Sequence, residues 1–207
     1  MNARRNQGPE PALPGVLERR HNSGMTPRIK TWIAPFAFAL AVAACQSQPL
    51  ARPEGPLEAR TIEGIERVHA AGEVYLATQP NAAAFERLAK SGVTTVIDLR
   101  KPGELKEFDE RAHLKSLGLR YVNIPFSNVE ELTDAQFDAV LAEMRRPSSG
   151  GLVLHCASAN RVGPIWIAHR VLDQGAEFEV ALAEAKVIGM RNAAYGERAK
   201  AYIAARR

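Results

Sequence analysis

Apolar positions along this chain fall into two alternating rhythms. Residues 93–99 (VTTVIDL), 119–124 and Gly151–His155 (GLVLH) are short, nearly continuous apolar runs rich in β-branched side chains. That is the pattern of parallel strands buried on both faces. Val74–Ala77 (VYLA) reads as a further short strand, closed by Thr78-Gln79-Pro80. Between these runs the apolar residues recur at helical spacing. Asn81 caps a helix to about residue 90, with Phe85 and Leu88 inward and Gly92 as its stop. Residues 104–117 read as a charged amphipathic helix ended by Gly118. Thr133 caps a helix over 134–144, with Phe137, Val140, Leu141 and Met144 on one face. Helices over 161–173, 180–188 and 193–205 complete the chain. Strands alternating with helices predict an α/β fold, a single domain over 61–207 with a mostly parallel central sheet flanked by helices.

The N-terminal pattern is different in kind. Arg28 and Lys30 precede a 14-residue apolar run over 31–44, interrupted only by Pro35 and ending Val42-Ala43-Ala44-Cys45. The run is short for a membrane span but suits the apolar region of an export signal. Residues 25–44 therefore read as a signal peptide, and Met25 as the natural start. Residues 1–24, polar and holding three prolines, are expected to be an upstream extension outside the translated protein. Residues 45–60 carry Pro49, Pro53 and Pro56 among polar residues and read as a disordered tether.

Charge follows the same division. The chain of 207 residues carries 27 basic and 23 acidic groups, a formal net charge of +4. The first 44 residues hold six of the basic groups and two of the acidic ones, so the other 163 hold 21 of each. The basic excess belongs to the leader, and a nucleic-acid partner loses its electrostatic support. Two cysteines rule out a disulfide scaffold, and no Cys/His cluster has metal-ligand spacing. No metal and no cofactor are expected, and the domain is expected to be a monomer.

The chemistry concentrates at the end of one buried strand. His155-Cys156 is followed by Ala157, Ser158, Ala159 and Asn160, and then by Arg161 at a predicted helix start. Backbone N–H groups in such a turn form an anion nest. The helix N-terminus favours the thiolate of Cys156, the nucleophile. Arg161 offers a fork of donors to two oxygens of a tetrahedral anion. Small side chains at 157–160 leave room for that anion. His155 points to the opposite face from Cys156 and is expected to hydrogen-bond toward the loop, supporting the thiolate. Glu130 and Glu131, with Asp134 behind them, are the candidate general acids, or else a solvated helix-entry pair. Asp98 and Arg100 end a neighbouring strand and border the site.

The stretch resembles the His-Cys-x-Arg loop of cysteine-based phosphatases. Gly92 to Arg100, Gly118 to Pro125 and the Thr133 helix stand in the order of dual-specificity-type phosphatases. The chain is most similar to their bacterial branch, the beta-lactamase-hydrolase-like phosphatase domains, over roughly residues 65–205, and Leu76 to Pro80 resembles that branch's opening motif. The resemblance implies a protein-tyrosine-phosphatase-like fold and hydrolysis of a phosphomonoester through a phosphocysteine on Cys156. Loop residues 157–160 and His155 would bind substrate, a small phosphorylated molecule or a phosphoprotein. The four residues between Cys156 and Arg161 make the loop one shorter than in most such phosphatases. Rhodanese-type sulfurtransferases share that length, so a persulfide on Cys156 and a sulfane-sulfur substrate is the alternative. A non-catalytic, anion-binding envelope lipoprotein is the third. Ala159 stands where a glycine is expected, and Val162 replaces the hydroxyl residue that usually follows the arginine. The 42–45 sequence resembles a lipobox, which implies lipidation of Cys45 and membrane attachment through acyl chains. With Gln46 after the cysteine, an outer-membrane position facing the periplasm is expected.

Overall fold

The computed structural model describes residues 55–104 and 107–207. The leader, the lipobox cysteine and most of the expected tether lie outside the described residues. Six strands form one sheet: β1 (Glu58–Arg60), β2 (Val68–Ala71), β3 (Val74–Ala77), β4 (Val93–Asp98), β5 (Arg120–Asn123) and β6 (Gly151–His155). Their order is β1-β2-β3-β6-β4-β5. β3, β6, β4 and β5 run parallel, while β2 is antiparallel to both β1 and β3. The fold class is thus α/β with a mostly parallel sheet. The sheet begins at Glu58, three residues before the expected domain start, and β1 and β2 are strands that the apolar pattern does not signal. β1 is fully exposed and its sequence, EAR, has no apolar face. It is held by its ladder to β2 rather than by burial.

Helices cover both faces. α1 (Ala82–Lys90) and α2 (Glu110–Ser116) pack on one; α3 (Asp134–Met144), α4 (Val162–Leu172), α5 (Phe178–Ile188) and α6 (Ala193–Ala204) pack on the other. Each face has its own apolar core, and strand alternation assigns side chains between them. From β6, Leu152 and Leu154 join the core under α3–α6, whereas Val153 joins that under α1 and α2. Asn81 caps α1 by accepting from the Ala84 N–H at 2.9 Å, and Thr133 with Gln136 forms a capping box at α3.

One helix differs from the expectation. The helix expected from residue 104 starts at Glu110. Pro102-Gly103 forms a turn, with Gly103 at φ 87°, and Asp109 supplies the N-cap by accepting from the Ala112 N–H at 3.0 Å. Residue 104 is thereby left in a loop whose position matters for the site. Among the described residues no helix is long and apolar enough to cross a membrane.

Candidate active site

β6 delivers Cys156 to the carboxyl end of the parallel sheet, where the chain turns into α4. The residue alternation that puts Leu152 and Leu154 under α4 puts Cys156 there as well, and its thiol is free and 1% exposed. His155 is fully buried on the other face, its ring edge-on to Phe85 at 5.9 Å. Ala159 closes the turn in the left-handed region, φ 63°, the one non-glycine residue among those described with positive φ. The same conformation in a glycine would carry no Cβ penalty. Gly189, at φ 141°, lies against this bend: a Cβ there would come within 3.1 Å of both the Ala159 Cβ and the Ser158 carbonyl oxygen.

The loop is fastened from two sides. The Gln79 N–H donates to the Ala157 carbonyl at 3.2 Å. The Asn160 side-chain oxygen accepts from the N–H groups of Arg191 at 2.7 Å and Asn192 at 3.2 Å. Asn160, expected to bind substrate, thus commits its oxygen to the segment leading into α6. Ala157 is the exposed loop residue, and Ser158 is half-buried.

Arg161 is 9% exposed and closely held. Nη1 donates to the carbonyls of Phe126 at 2.9 Å and Leu99 at 3.3 Å, and to Glu104 Oε1 at 2.8 Å. Nη2 donates to Glu104 Oε2 at 2.6 Å. Burial opposes its charge, but hydrogen bonds to Glu104 and to the Cys156 side chain, with the charges of both, hold its proton more firmly than in a free guanidinium. In return, the Arg161 hydrogen bond keeps the Glu104 carboxyl below its usual value against the opposing effect of burial. Glu104 is a site residue that the helical reading of 104–117 conceals; the turn residues Pro102-Gly103 were the available signal.

A cavity of about 390 Å³ opens over this arginine, lined by Lys101, Glu104, Ser127, Ser158, Asn160 and Tyr195 as well as Arg161. Of the two expected acids, Glu130 is exposed. Glu131 accepts from Lys101 Nζ at 2.7 Å and from the Ser127 N–H at 2.8 Å. The Lys101 hydrogen bond, then that of Ser127, lowers its carboxyl below the usual range. Tyr195, from the first turn of α6, is brought in by tertiary packing that no local pattern announces. Asp134 pairs with Arg198 and Arg206 at the surface and does not line the cavity.

The expectation for His155 needs correction. Its Nε2 lies 3.0 Å from Glu110 Oε1, on the face opposite the loop. α2 packs against that face, so the nearest partner is a helix carboxylate and not the loop backbone. Glu110 and Asp98 are bridged by Arg100, with Nη2 at 2.7 Å from Glu110 and 2.8 Å from Asp98, all three side chains at most 5% exposed. Tyr121 donates to Asp98 at 2.9 Å, and Gln79 Nε2 donates to Glu110 at 2.7 Å. Asp98, Glu110 and His155 place ligand atoms within 4.8 Å of one another, but Arg100 already holds the cation position between the two carboxylates. This network braces the strand ends beneath the loop through Gln79.

A thiol at the end of a parallel strand, a tight loop, and an arginine at the following helix start form the arrangement expected of a cysteine-based phosphatase of the protein-tyrosine-phosphatase-like class. Solved structures of that class superpose on the chain. TpbA from P. aeruginosa, in a complex with pTyr, is 25% identical with a TM-score of 0.55, covering 72% of this chain and 89% of that one. A DUF442 protein from Shewanella putrefaciens CN-32 is 19% identical, TM-score 0.57, covering 70% and 95%. The Siw14 catalytic core is 17% identical, TM-score 0.59, covering 68% and 87%; at these lower identities the likeness is one of fold. No family model and no curated protein matches the chain.

Proposed function

We propose that the protein hydrolyses a phosphomonoester by transfer of the phosphoryl group to Cys156 and then to water. The observation that carries this reading is the free, buried Cys156 at the end of β6, followed at the start of α4 by an Arg161 fixed by Glu104 and two backbone carbonyls. The guanidinium is held in place before substrate arrives. Attack on phosphorus forms the S–P bond as the ester oxygen departs; water then cleaves the S–P bond and returns the thiolate. The pTyr bound by TpbA supports an aryl phosphate as the test substrate. The full chain and its Cys156→Ser variant should be compared on p-nitrophenyl phosphate, with thiocyanate formation from thiosulfate and cyanide as the sulfur-transfer assay. Phosphate release that requires Cys156 is expected. Sulfur transfer without phosphate release would replace this reading, and phosphate binding without either activity would leave an anion-binding protein.

The lipobox-like run ending at Cys45 supports attachment to a bacterial membrane through that cysteine, with the domain facing the periplasm and the outer membrane favoured by Gln46. Incorporation of labelled palmitate that is lost in Cys45→Ser is expected. Labelling that persists in the variant would refute the attachment site.

A further inference from the structure

The leaving oxygen of a phosphomonoester needs a proton, and the carboxylates around Arg161 are already engaged. Glu104 gives both oxygens to Arg161, and Glu131 gives both to Lys101 and the Ser127 N–H. Glu130 is exposed and does not line the cavity. Of the other ionisable groups that line the cavity, Lys101 is paired with Glu131, which leaves the Tyr195 phenol. The residue is 2% exposed, and its ring lies edge-on against Phe126 at 6.2 Å. Its hydroxyl lies 3.5 Å from the Ser127 carbonyl, far longer than a firm O–H···O bond. The proton is therefore held in place but not committed.

We propose that Tyr195 is the proton donor to the leaving oxygen, a role that rests on the phosphatase reading above. In the first step the Cys156 sulfur bonds to phosphorus, the P–O ester bond breaks, and the phenol proton passes to the departing oxygen, giving an alcohol and a phenolate. In the second, the phenolate takes a proton from water, the oxygen of that water bonds to phosphorus, and the S–P bond electrons return to Cys156. Each turnover consumes one water and restores the phenol. The nearby Arg161 cation stabilises the transient phenolate.

The ionisable groups facing Tyr195 are Arg161, Cys156, Glu130 and Glu131, with Lys101 and Glu104 across the cavity. Burial is the largest influence and raises the phenol above its ordinary value; Arg161 lowers it, and the Cys156, Glu130 and Glu131 charges raise it. The acid form therefore persists through neutral pH, unlike that of a carboxylic acid.

The test compares the full-length enzyme with Tyr195→Phe, which keeps the ring and its packing, on two esters. Phenyl phosphate releases a weakly acidic phenol, whereas p-nitrophenyl phosphate releases one that leaves without help. Tyr195→Phe should lose about 100-fold in kcat on phenyl phosphate, within the range of general acid catalysis, and less than about fivefold on p-nitrophenyl phosphate. The wild-type kcat/KM on phenyl phosphate should stay level between about pH 7 and pH 9, because an unperturbed phenol titrates near pH 10. Equal losses on both esters would mark a packing role and overturn the proposal. So would a fall above about pH 6, the mark of a raised carboxylic acid, or the selective loss in Glu130→Gln with none in Tyr195→Phe. A wild-type enzyme inactive on both esters would instead remove the phosphatase reading, a result distinct from any of these.

Discussion

Gly189 and Ala159 meet across the back of the loop, and their contact can be weighed. Gly189→Ala places a Cβ 3.1 Å from the Ala159 methyl, 3.1 Å from the Ser158 carbonyl oxygen and 3.0 Å from Arg67 Nη1, at φ 141°. An L side chain at such a φ costs about 1–3 kcal/mol, and overpacking adds about 1–3 kcal/mol. The Arg67 end can swing away, but the Ser158 carbonyl belongs to the loop and has no such freedom. A loss of about 3 kcal/mol is expected, read as a shift in the urea midpoint at constant slope. A loop displaced by a few tenths of an ångström should also lose about tenfold in kcat/KM. Ala159→Gly relieves about 1 kcal/mol of left-handed strain but gives up a buried methyl worth about 0.8 kcal/mol. Alone it should sit within about 1 kcal/mol of wild type. In that background Gly189→Ala keeps its backbone cost and loses one of its close contacts, so the two changes should couple by about 1 kcal/mol. Additivity within about 0.3 kcal/mol would refute a packing contact between the two residues and leave backbone strain as the whole effect.

Further outcomes follow from the charged groups. Glu104→Gln leaves Arg161 with its two carbonyl acceptors but without its ionic partner; a loss of 10- to 100-fold in kcat/KM, about 1.5–3 kcal/mol, is expected in steady-state kinetics, and unchanged kinetics would deny it an orienting role. The Glu104 and Asp98 carboxyls are both held below their usual values, 4.5 and 3.8. Their stabilisation is therefore fully present above about pH 4.5 and lost as pH falls through the lowered values. Thermal midpoints should drop on acidification below about pH 4.5, and less steeply in Glu104→Gln. Arg100→Met strands two buried carboxylates and should cost about 3–5 kcal/mol in denaturant titration, against near-neutrality if the network is dispensable. Glu131→Gln should lower the rate on phenyl phosphate less than about fivefold, since its oxygens tie Lys101 and Ser127 and donate no proton; a loss comparable to that of general acid removal, about 100-fold or more, would restore it as the acid.

The strand–loop–helix around Cys156 was legible because every part of it is local. β6 is five apolar-rich residues, the loop residues are small, and the helix start follows directly. α1 and α3 were legible through their caps, Asn81 and Thr133. What escaped depends on distance in sequence. Glu104 reaches Arg161 across 57 residues, and a run of charged residues up to 117 imitates one helix until Pro102-Gly103 and Asp109 are weighed as turn and cap. Tyr195 enters the cavity from a helix whose own pattern marks it only as buried. His155 was placed on the correct face by strand alternation, but its partner, Glu110, is set by how α2 docks. β1 escaped because an alanine between two charged residues at a sheet edge has no burial pattern to read.

The direction of β1 has a consequence for how the domain is presented to its surroundings. β1 runs with the parallel strands, and Gly55, just before it, approaches the β2–β3 turn at Gly72. That turn lies at the pole where β6 begins, whereas Cys156 lies at the pole where β6 ends. Strand spacing of about 4.8 Å also sets β1 three steps, about 14 Å, to one side of β6. The chain that leads into Glu58 therefore joins the domain at the pole opposite Cys156, and the mouth of the site stays clear of that junction.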